Sequence, residues 1–170
     1  MQVDFKALFA VIQTPLLVLD RDMIIVAFNP AYSKATGIRE AEAIGKSHFE
    51  VFPENPNDLS GNGRSVVRSS FEKVVRLGVA DEMPLVKYDV PVPDSKTGEF
   101  DERFWKAVNS PVFGVDGSVT HILHYPEDVT LFVQMQNRNL KLQIGQQEIV
   151  ALKLAQESQI LERHKLEAIF

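Results

Sequence analysis

The chain has 170 residues, of which 45% are hydrophobic and 24% are charged, and this composition is typical of a globular domain. Its net charge of −5 argues against nucleic acid as a partner, because binding to phosphates requires clustered Lys and Arg. It has no cysteine and no apolar run of about 18 residues, which excludes disulfides, thiolate metal sites and a membrane segment and favours a cytoplasmic location.

Residues 1–14 predict a short amphipathic helix that flanks the main domain. Asp4 can cap this helix, and Pro15 ends it. Apolar side chains recur at helical spacing along one face, at Phe5, Leu8, Phe9 and Ile12. Such a face needs a partner, and we expect it to belong to a dimer interface.

Two apolar runs then predict a β-hairpin. Residues 16–19 and 23–28 are strand-like, and Asp20-Arg21-Asp22 between them is typical of a tight turn. Asn29 precedes a proline, a combination that caps helices, and it predicts a short helix over 31–36. Asn29 is therefore a predicted structural cap.

The middle of the chain predicts broken helical structure. Residues 39–44 predict a short helix, and the prolines and glycines of residues 53–63 predict a loop. Residues 65–77 give the clearest helix of this region. Its apolar side comprises Val67, Phe71, Val74 and Val75.

Three β segments follow, at residues 83–92, 102–113 and 118–126, and Asp- and Gly-containing turns between them predict antiparallel hairpins. Side chains of a strand alternate between its two faces. His121 and His124 in the last segment therefore lie on opposite faces and cannot bind one metal ion together.

An uninterrupted polar helix is predicted from Val129 to Phe170. Its apolar residues fit one heptad seam, at Leu131, Met135, Leu142, Ile149, Leu152 and Leu166. Five other residues interrupt that seam, namely Arg138, Gly145, Gln156, Gln159 and Arg163. Two interpretations stay open: the helix forms a dimeric coiled coil, or it packs back on its own domain.

Five local motifs occur in an order shared with one family. They are Ala27-Phe28-Asn29-Pro30-Ala31-Tyr32, Val51-Phe52-Pro53-Glu54-Asn55-Pro56, the segment 103–112, Gly114-Val115-Asp116-Gly117 and Glu127-Asp128-Val129-Thr130. With them, the region from Phe5 to Thr130 resembles the PAS family, and it looks most like PAS domains of bacterial sensor histidine kinases and related regulators. The resemblance implies an α+β fold, a five-stranded antiparallel sheet with helices on one face, flanked by a short N-terminal helix and a long C-terminal coiled-coil-like helix.

The resemblance also implies a domain organisation and a function. Residues 1–14 would be a flanking helix, 15–128 a PAS sensor domain and 129–170 a signalling helix. The chain would be a cytoplasmic sensory and dimerisation module of a bacterial two-component protein, a homodimer with no enzyme activity in this region. A change in a pocket or interface would pass through the last helix to an effector domain of the same chain. A histidine kinase core is the expected effector, and a cyclase, a phosphatase or another PAS domain would also fit.

Two other functions stay open. The chain could be a constitutive dimerisation scaffold that binds no ligand. It could instead be a small enzyme that uses His48 or His124 with Glu127, although no nucleophile is visibly paired with a base and metal-ligand spacing is missing.

The resemblance implies a pocket for a small molecule whose identity is unknown. The candidate lining residues are His48, Phe52, Phe71, Val75, Trp105, Ile122 and His124. His48 matches the position of the reactive cysteine in the flavin-binding photoreceptor branch, so cysteinyl-flavin photochemistry is excluded. The helix over 65–77 lacks the histidine of the haem-binding branch, which argues against haem. Each histidine or aromatic residue of the set could also be an ordinary core residue.

Asp128 and Thr130 stand where the last strand becomes the final helix. Their side chains can cap that helix and bond back to the sheet. We therefore predict that these two residues relay the signal.

Overall fold

The computed structural model describes residues 2–58, 61–92, 94–95 and 97–167. Its helices are α1 (Phe5–Val11), α2 (Pro30–Thr36), α3 (Glu40–Ala43), α4 (His48–Val51), α5 (Gly63–Leu77) and α6 (Thr130–Glu167). Its strands are β1 (Leu17–Asp20), β2 (Ile25–Phe28), β3 (Asp81–Glu82), β4 (Val86–Lys87), β5 (Val90–Pro91), β6 (Phe100–Asp101), β7 (Phe104–Phe113) and β8 (Val119–Asp128). The predicted helix end at Phe170 lies outside the described residues.

The main sheet is antiparallel and has the order β2-β1-β8-β7-β3, with β4 also paired to β7. Because β3 and β4 follow one another along the same edge of β7, the sheet is five strands wide, which confirms the predicted fold. The predicted strand over 83–92 is instead two short strands, β4 and β5, and β3 lies just before it. Pro84 explains one interruption, since proline has no N–H to donate to the neighbouring strand.

The core lies between one face of the sheet and the helices. The sheet contributes fully buried Leu17, Leu19 and Ile122, and α5 contributes Phe71 and Val74. The alternation of side chains along β1 and β8 and the helical periodicity of α5 direct these side chains into the same space. The predicted apolar side of the longest middle helix is therefore confirmed at these positions.

Asn29 ties the start of α2 to the chain before β1. Its side-chain oxygen accepts hydrogen bonds from the N–H groups of Tyr32 (2.9 Å) and Leu16 (3.0 Å). Its amide group donates to the carbonyl oxygens of Ile12 and Thr14. The residue is 1% exposed, so it satisfies all of these groups inside the protein.

Two helices differ from the sequence-based prediction. The four-residue helix α4 is too short to show periodicity, and its N-cap is Ser47, which accepts a hydrogen bond from the N–H of Phe49. Helix α5 begins at Gly63, inside the predicted loop. A Cβ at Gly63 would lie 2.6 Å from the carbonyl oxygen of Lys87, so the close approach of this helix to the edge of the sheet requires glycine.

The chain divides into two compact units at the boundary between Thr130 and Leu131. In the first unit, α1 is capped by Asp4, whose carboxylate accepts a hydrogen bond from the N–H of Ala7. The predicted interface residues of this segment are exposed except for the half-buried Phe9; they are Phe5, Leu8, Phe9 and Ile12. None of the described helices combines the length and the apolar character that a membrane crossing needs.

The second unit consists of α6 beyond its first residue. The predicted heptad positions carry exposed apolar side chains at Leu131, Met135, Leu142, Ile149 and Leu152. These positions provide an apolar seam on the helix, and their place in a dimer interface stays a prediction.

Candidate functional site

A cavity of about 40 Å³ lies between the sheet and α2, α4 and α5. It is lined by Tyr32, Thr36, His48, Phe52, Val67, Met83, Val86, Tyr88, Val90, Trp105, Ala107, His124 and Pro126. Among the residues that the structure describes, no Asp, Glu, Lys or Arg belongs to this lining. Because a water-sized group occupies roughly 10–15 Å³ on this measure, the cavity has room for about three such groups.

Several predicted pocket residues line this cavity, namely His48, Phe52, Trp105 and His124. The other three predicted residues are not part of the lining. Phe71 and Ile122 are core residues with no exposed surface, and Val75 borders a shallow surface hollow beside Met23. Val67 is the residue of α5 that lines the cavity. The other end of this helix, at Val75, lies beside Met23 in the turn between β1 and β2.

His124 begins a buried chain of hydrogen bonds that reaches the protein surface. Its Nδ1 lies 2.6 Å from the side-chain oxygen of Asn109. The amide nitrogen of Asn109 donates to the hydroxyl of Ser70 (2.7 Å), which donates to the carboxylate of Asp81 (2.6 Å). Lys73 pairs with that carboxylate at the surface end. The chain therefore links β8, β7, α5 and β3.

The surface end of this chain fixes the tautomer of His124. Hydrogen bonds from Lys73 and Ser70 hold the pKa of Asp81 below its usual value, so this carboxylate accepts only. Ser70 must then donate to it and accept from the amide group of Asn109. Asn109 consequently presents its oxygen to His124, which must carry its proton on Nδ1 and leave Nε2 as an acceptor.

His48 is buried among aromatic rings. Its ring centroid lies 5.1 Å from those of Phe49 and Phe52, 5.3 Å from that of Phe71 and 5.9 Å from that of His124. Its Nδ1 has no hydrogen-bond partner among the described residues. Burial lowers the pKa of His48 well below its usual value, with a further contribution from His124. Burial also lowers the pKa of His124, to about 3, so both rings are neutral at pH 7.

Two tyrosines and Asn109 are site residues that the sequence interpretation missed. The hydroxyl of Tyr88 donates to the carbonyl oxygen of Phe52, and Nε1 of Trp105 donates to the carbonyl oxygen of Tyr88 (2.8 Å). Tyr32 is 2% exposed, and burial raises the pKa of its hydroxyl. Asn109 could have been found from the sequence, because the alternation of a strand puts it on the same face as Trp105.

The strand-to-helix junction, formed by Phe104, Asp128, Val129 and Thr130, is held by side-chain and backbone bonds. The N–H of Phe104 donates to the hydroxyl oxygen of Thr130 (2.9 Å), and the N–H of Val129 donates to the carbonyl oxygen of Phe104 (2.9 Å). Asp128 accepts from the N–H of Thr130 (2.9 Å) and from Arg103 (2.7 Å). Partial burial raises the pKa of Asp128, but these hydrogen bonds outweigh that effect and hold it below its usual value.

The site offers little support for metal or hydrolytic chemistry. Within the described part of the chain, no group of three or more His, Cys, Asp or Glu side chains could hold a metal ion. Glu127, the proposed carboxylate partner of a catalytic histidine, is exposed, and the alternation of β8 places it on the face opposite His124. Asp128 is instead committed to Arg103 and Thr130.

Comparison with known families assigns the fold to a family. A family model described as the PAS fold matches residues 9–134. The chain therefore belongs to the PAS family, as its sequence motifs indicated. No curated protein sequence matches the chain.

Solved structures support the same fold. An RNA-binding light-oxygen-voltage receptor has a TM-score of 0.59 and 23% identity; the match covers 85% of this chain but only 37% of the receptor. The PAS domain of a Colwellia psychrerythraea protein gives 0.56 and 16%, covering 74% and 94% of the two chains. The PAS domain of nitrogen regulation protein NR(II) from Vibrio parahaemolyticus gives 0.54 and 15%, covering 75% and 99%. Identities this low establish the fold alone.

Proposed function

We propose that this chain is a sensory and dimerisation module of a bacterial signal-transduction protein, and that a change in its cavity passes through α6 to an effector domain of the same chain. Membership of the PAS family supports the sensory role, because these domains are generally sensory and not catalytic. The effector that we propose is a histidine kinase core in the cytoplasm.

The strand-to-helix junction is the observation that carries this proposal. Strand β8 contributes His124 to the cavity and ends at Asp128, and β7 contributes Trp105 beside Phe104. A shift of either strand at the cavity therefore acts on the bonds that hold Thr130, the first residue of α6. Each such bond is worth about 1 kcal/mol, which is enough to change a two-state equilibrium about fivefold.

Dimerisation is supported by apolar side chains on both flanking helices. Phe5 is 78% exposed on α1, and Leu131, at the start of the heptad seam, is 70% exposed. Exposed apolar side chains that recur along one face of a helix mark interaction surfaces. We propose that a second copy of the chain covers them.

The small volume of the cavity favours a second candidate, a constitutive dimerisation scaffold. A cavity of about 40 Å³ is largely filled by its own aromatic side chains. A scaffold would hold α6 in one arrangement regardless of what happens in the cavity. The two functions therefore differ in whether α6 responds to a change at the lining.

Pulsed dipolar electron paramagnetic resonance separates these functions. Because the chain has no cysteine, Gln146→Cys gives a unique spin-label site on an exposed position of α6. Ala107→Val adds two methyl groups to the cavity lining and imitates an occupied cavity. A sensory dimer predicts an inter-subunit distance distribution that Ala107→Val shifts, whereas a scaffold predicts an unchanged distribution. Absence of a dipolar signal would contradict dimerisation.

A matched pair of threonine variants tests the route of the signal. Thr130→Val removes the acceptor of the Phe104 N–H and should abolish the shift caused by Ala107→Val. Thr120→Val makes the same change at the other end of β8, where the hydroxyl donates to the carbonyl oxygen of Val112, and should preserve the shift. An equal effect of both variants would contradict relay through the junction.

A further inference from the structure

Three nearly buried polar side chains line the cavity with hydrogen-bonding capacity that the protein does not use. His48, Tyr32 and His124 are 4%, 2% and 6% exposed. Among the residues that the structure describes, Nδ1 of His48 is buried without a hydrogen-bond partner. The hydroxyl of Tyr32 and Nε2 of His124 belong to residues of the cavity lining, and neither makes a hydrogen bond to a described residue. A buried polar group without a partner costs free energy, so Nδ1 of His48, together with two further unused polar groups at the same cavity, indicates a site built for a guest.

The three groups define a pattern of donors and acceptors. His124 gives its only N–H to Asn109, so its Nε2 can only accept. The hydroxyl of Tyr32 can donate, and the neutral ring of His48 presents one N–H and one acceptor nitrogen. A guest that satisfies all three must carry at least one donor and one acceptor.

The lining also limits the charge and size of the guest. The described lining residues include no Asp, Glu, Lys or Arg, so an ionised guest would lose its hydration without gaining a counter-charge. The volume of about 40 Å³ admits about three non-hydrogen atoms without movement of the walls. Large cofactors are therefore poor candidates.

We propose that the cavity binds a small neutral molecule with an amide- or alcohol-type donor and acceptor, held by His48, His124 and Tyr32. This inference rests on the proposed function only in one respect, that the cavity is the place where the sensory module binds its ligand. The guest donates to Nε2 of His124 and accepts from the hydroxyl of Tyr32, while His48 supplies the third contact.

Formamide, formate and formamidinium test the proposal, because they share one shape and three non-hydrogen atoms but differ in charge. They are titrated into the full chain, and backbone amide chemical shifts of the cavity lining are followed by nuclear magnetic resonance. Formamide should give saturable shifts with a Kd on the order of 1 mM, near the limit for a ligand of this size. Both ions should bind at least about tenfold more weakly. Equal binding of an ion, or no saturable shift with formamide, would overturn the proposal.

Two pairs of variants assign the binding to the named groups. Tyr32→Phe removes only the hydroxyl and should weaken formamide binding about five- to tenfold, whereas Tyr125→Phe on the exposed surface should not change it. His48→Phe keeps the aromatic packing and should act like Tyr32→Phe, with His121→Phe on the other face of β8 as its control. Unchanged affinity in both Tyr32→Phe and His48→Phe would refute the assignment.

The outcomes of this titration and of the spin-label experiment are separable. Selective binding of formamide with no response of α6 would leave the site in place and refute the sensory function. A response of α6 to Ala107→Val without selective binding of formamide would support the sensory function and refute the proposed binding site.

Discussion

Replacing Asn109 by leucine tests the buried hydrogen-bond chain, because Asn109 has no exposed surface and joins His124 to Ser70. Leucine has a similar volume but removes both bonds. The Nδ1–H of His124 is then buried without an acceptor, at a cost of about 1–3 kcal/mol. Ser70 keeps its bond to Asp81 and loses only the bond it accepts, worth about 1 kcal/mol. The free energy of unfolding should therefore fall by about 2–4 kcal/mol.

Urea unfolding measures this loss, and Asn57→Leu at an exposed position serves as the control, with an expected change within about 0.5 kcal/mol. Nitrogen-detected spectra of the imidazole rings supply a second readout. In the unmodified protein the proton of His124 should be on Nδ1. A loss below about 1 kcal/mol in Asn109→Leu, or a proton on Nε2 of His124 in the unmodified protein, would refute the reasoning.

Two further predictions concern packing and pH. Gly63→Ala should destabilise the protein by about 1–3 kcal/mol, because the added methyl group would meet the carbonyl oxygen of Lys87. Gly145→Ala, which has open space around it in α6, should instead stabilise the helix by about 1 kcal/mol. Urea unfolding midpoints of the two variants that move in the same direction would contradict this prediction. The free energy of unfolding should fall as the pH drops from about 6.5 to 5, because His48 and His124 take up protons in the unfolded chain but, with their lowered pKa values, not in the folded one. Each histidine contributes a slope that rises to about 1.4 kcal/mol per pH unit at the acidic end of this window, so His48→Phe should halve the contribution of the two histidines. Stability that does not vary in this window would refute the assignment of neutral rings.

Local signals in the sequence were sufficient for much of the fold. Asn29 marks the start of α2, and Gly37 and Gly78 adopt the left-handed conformation where α2 and α5 end. These residue types have few alternative uses, so they locate boundaries well. The start of α5 at Gly63 was missed because it depends on contact with Lys87, which is distant in sequence.

The candidate site was less predictable for a related reason. Strand alternation put His121 and His124 on opposite faces, and the family resemblance implied that His124 faces the pocket, which it does. Alternation also puts Asn109 on the same face as Trp105, a point that the interpretation did not use. The bond from Ser70 to Asp81 joins two elements whose pairing leaves no periodic mark in the sequence. Side-chain hydrogen bonds between elements therefore required the structure.

Native-state amide hydrogen exchange at the strand-to-helix junction tests the central claim most directly, that the cavity strands continue without a break into α6. The N–H of Phe104 donates to the hydroxyl oxygen of Thr130, and the N–H of Val129 donates to the carbonyl oxygen of Phe104. They should exchange as slowly as the amide of Leu123 in the middle of β8, because only loss of the sheet would release them. Exchange of both at the rate of an unstructured peptide would show that strand and helix are joined by a loose tether, and the account would fail.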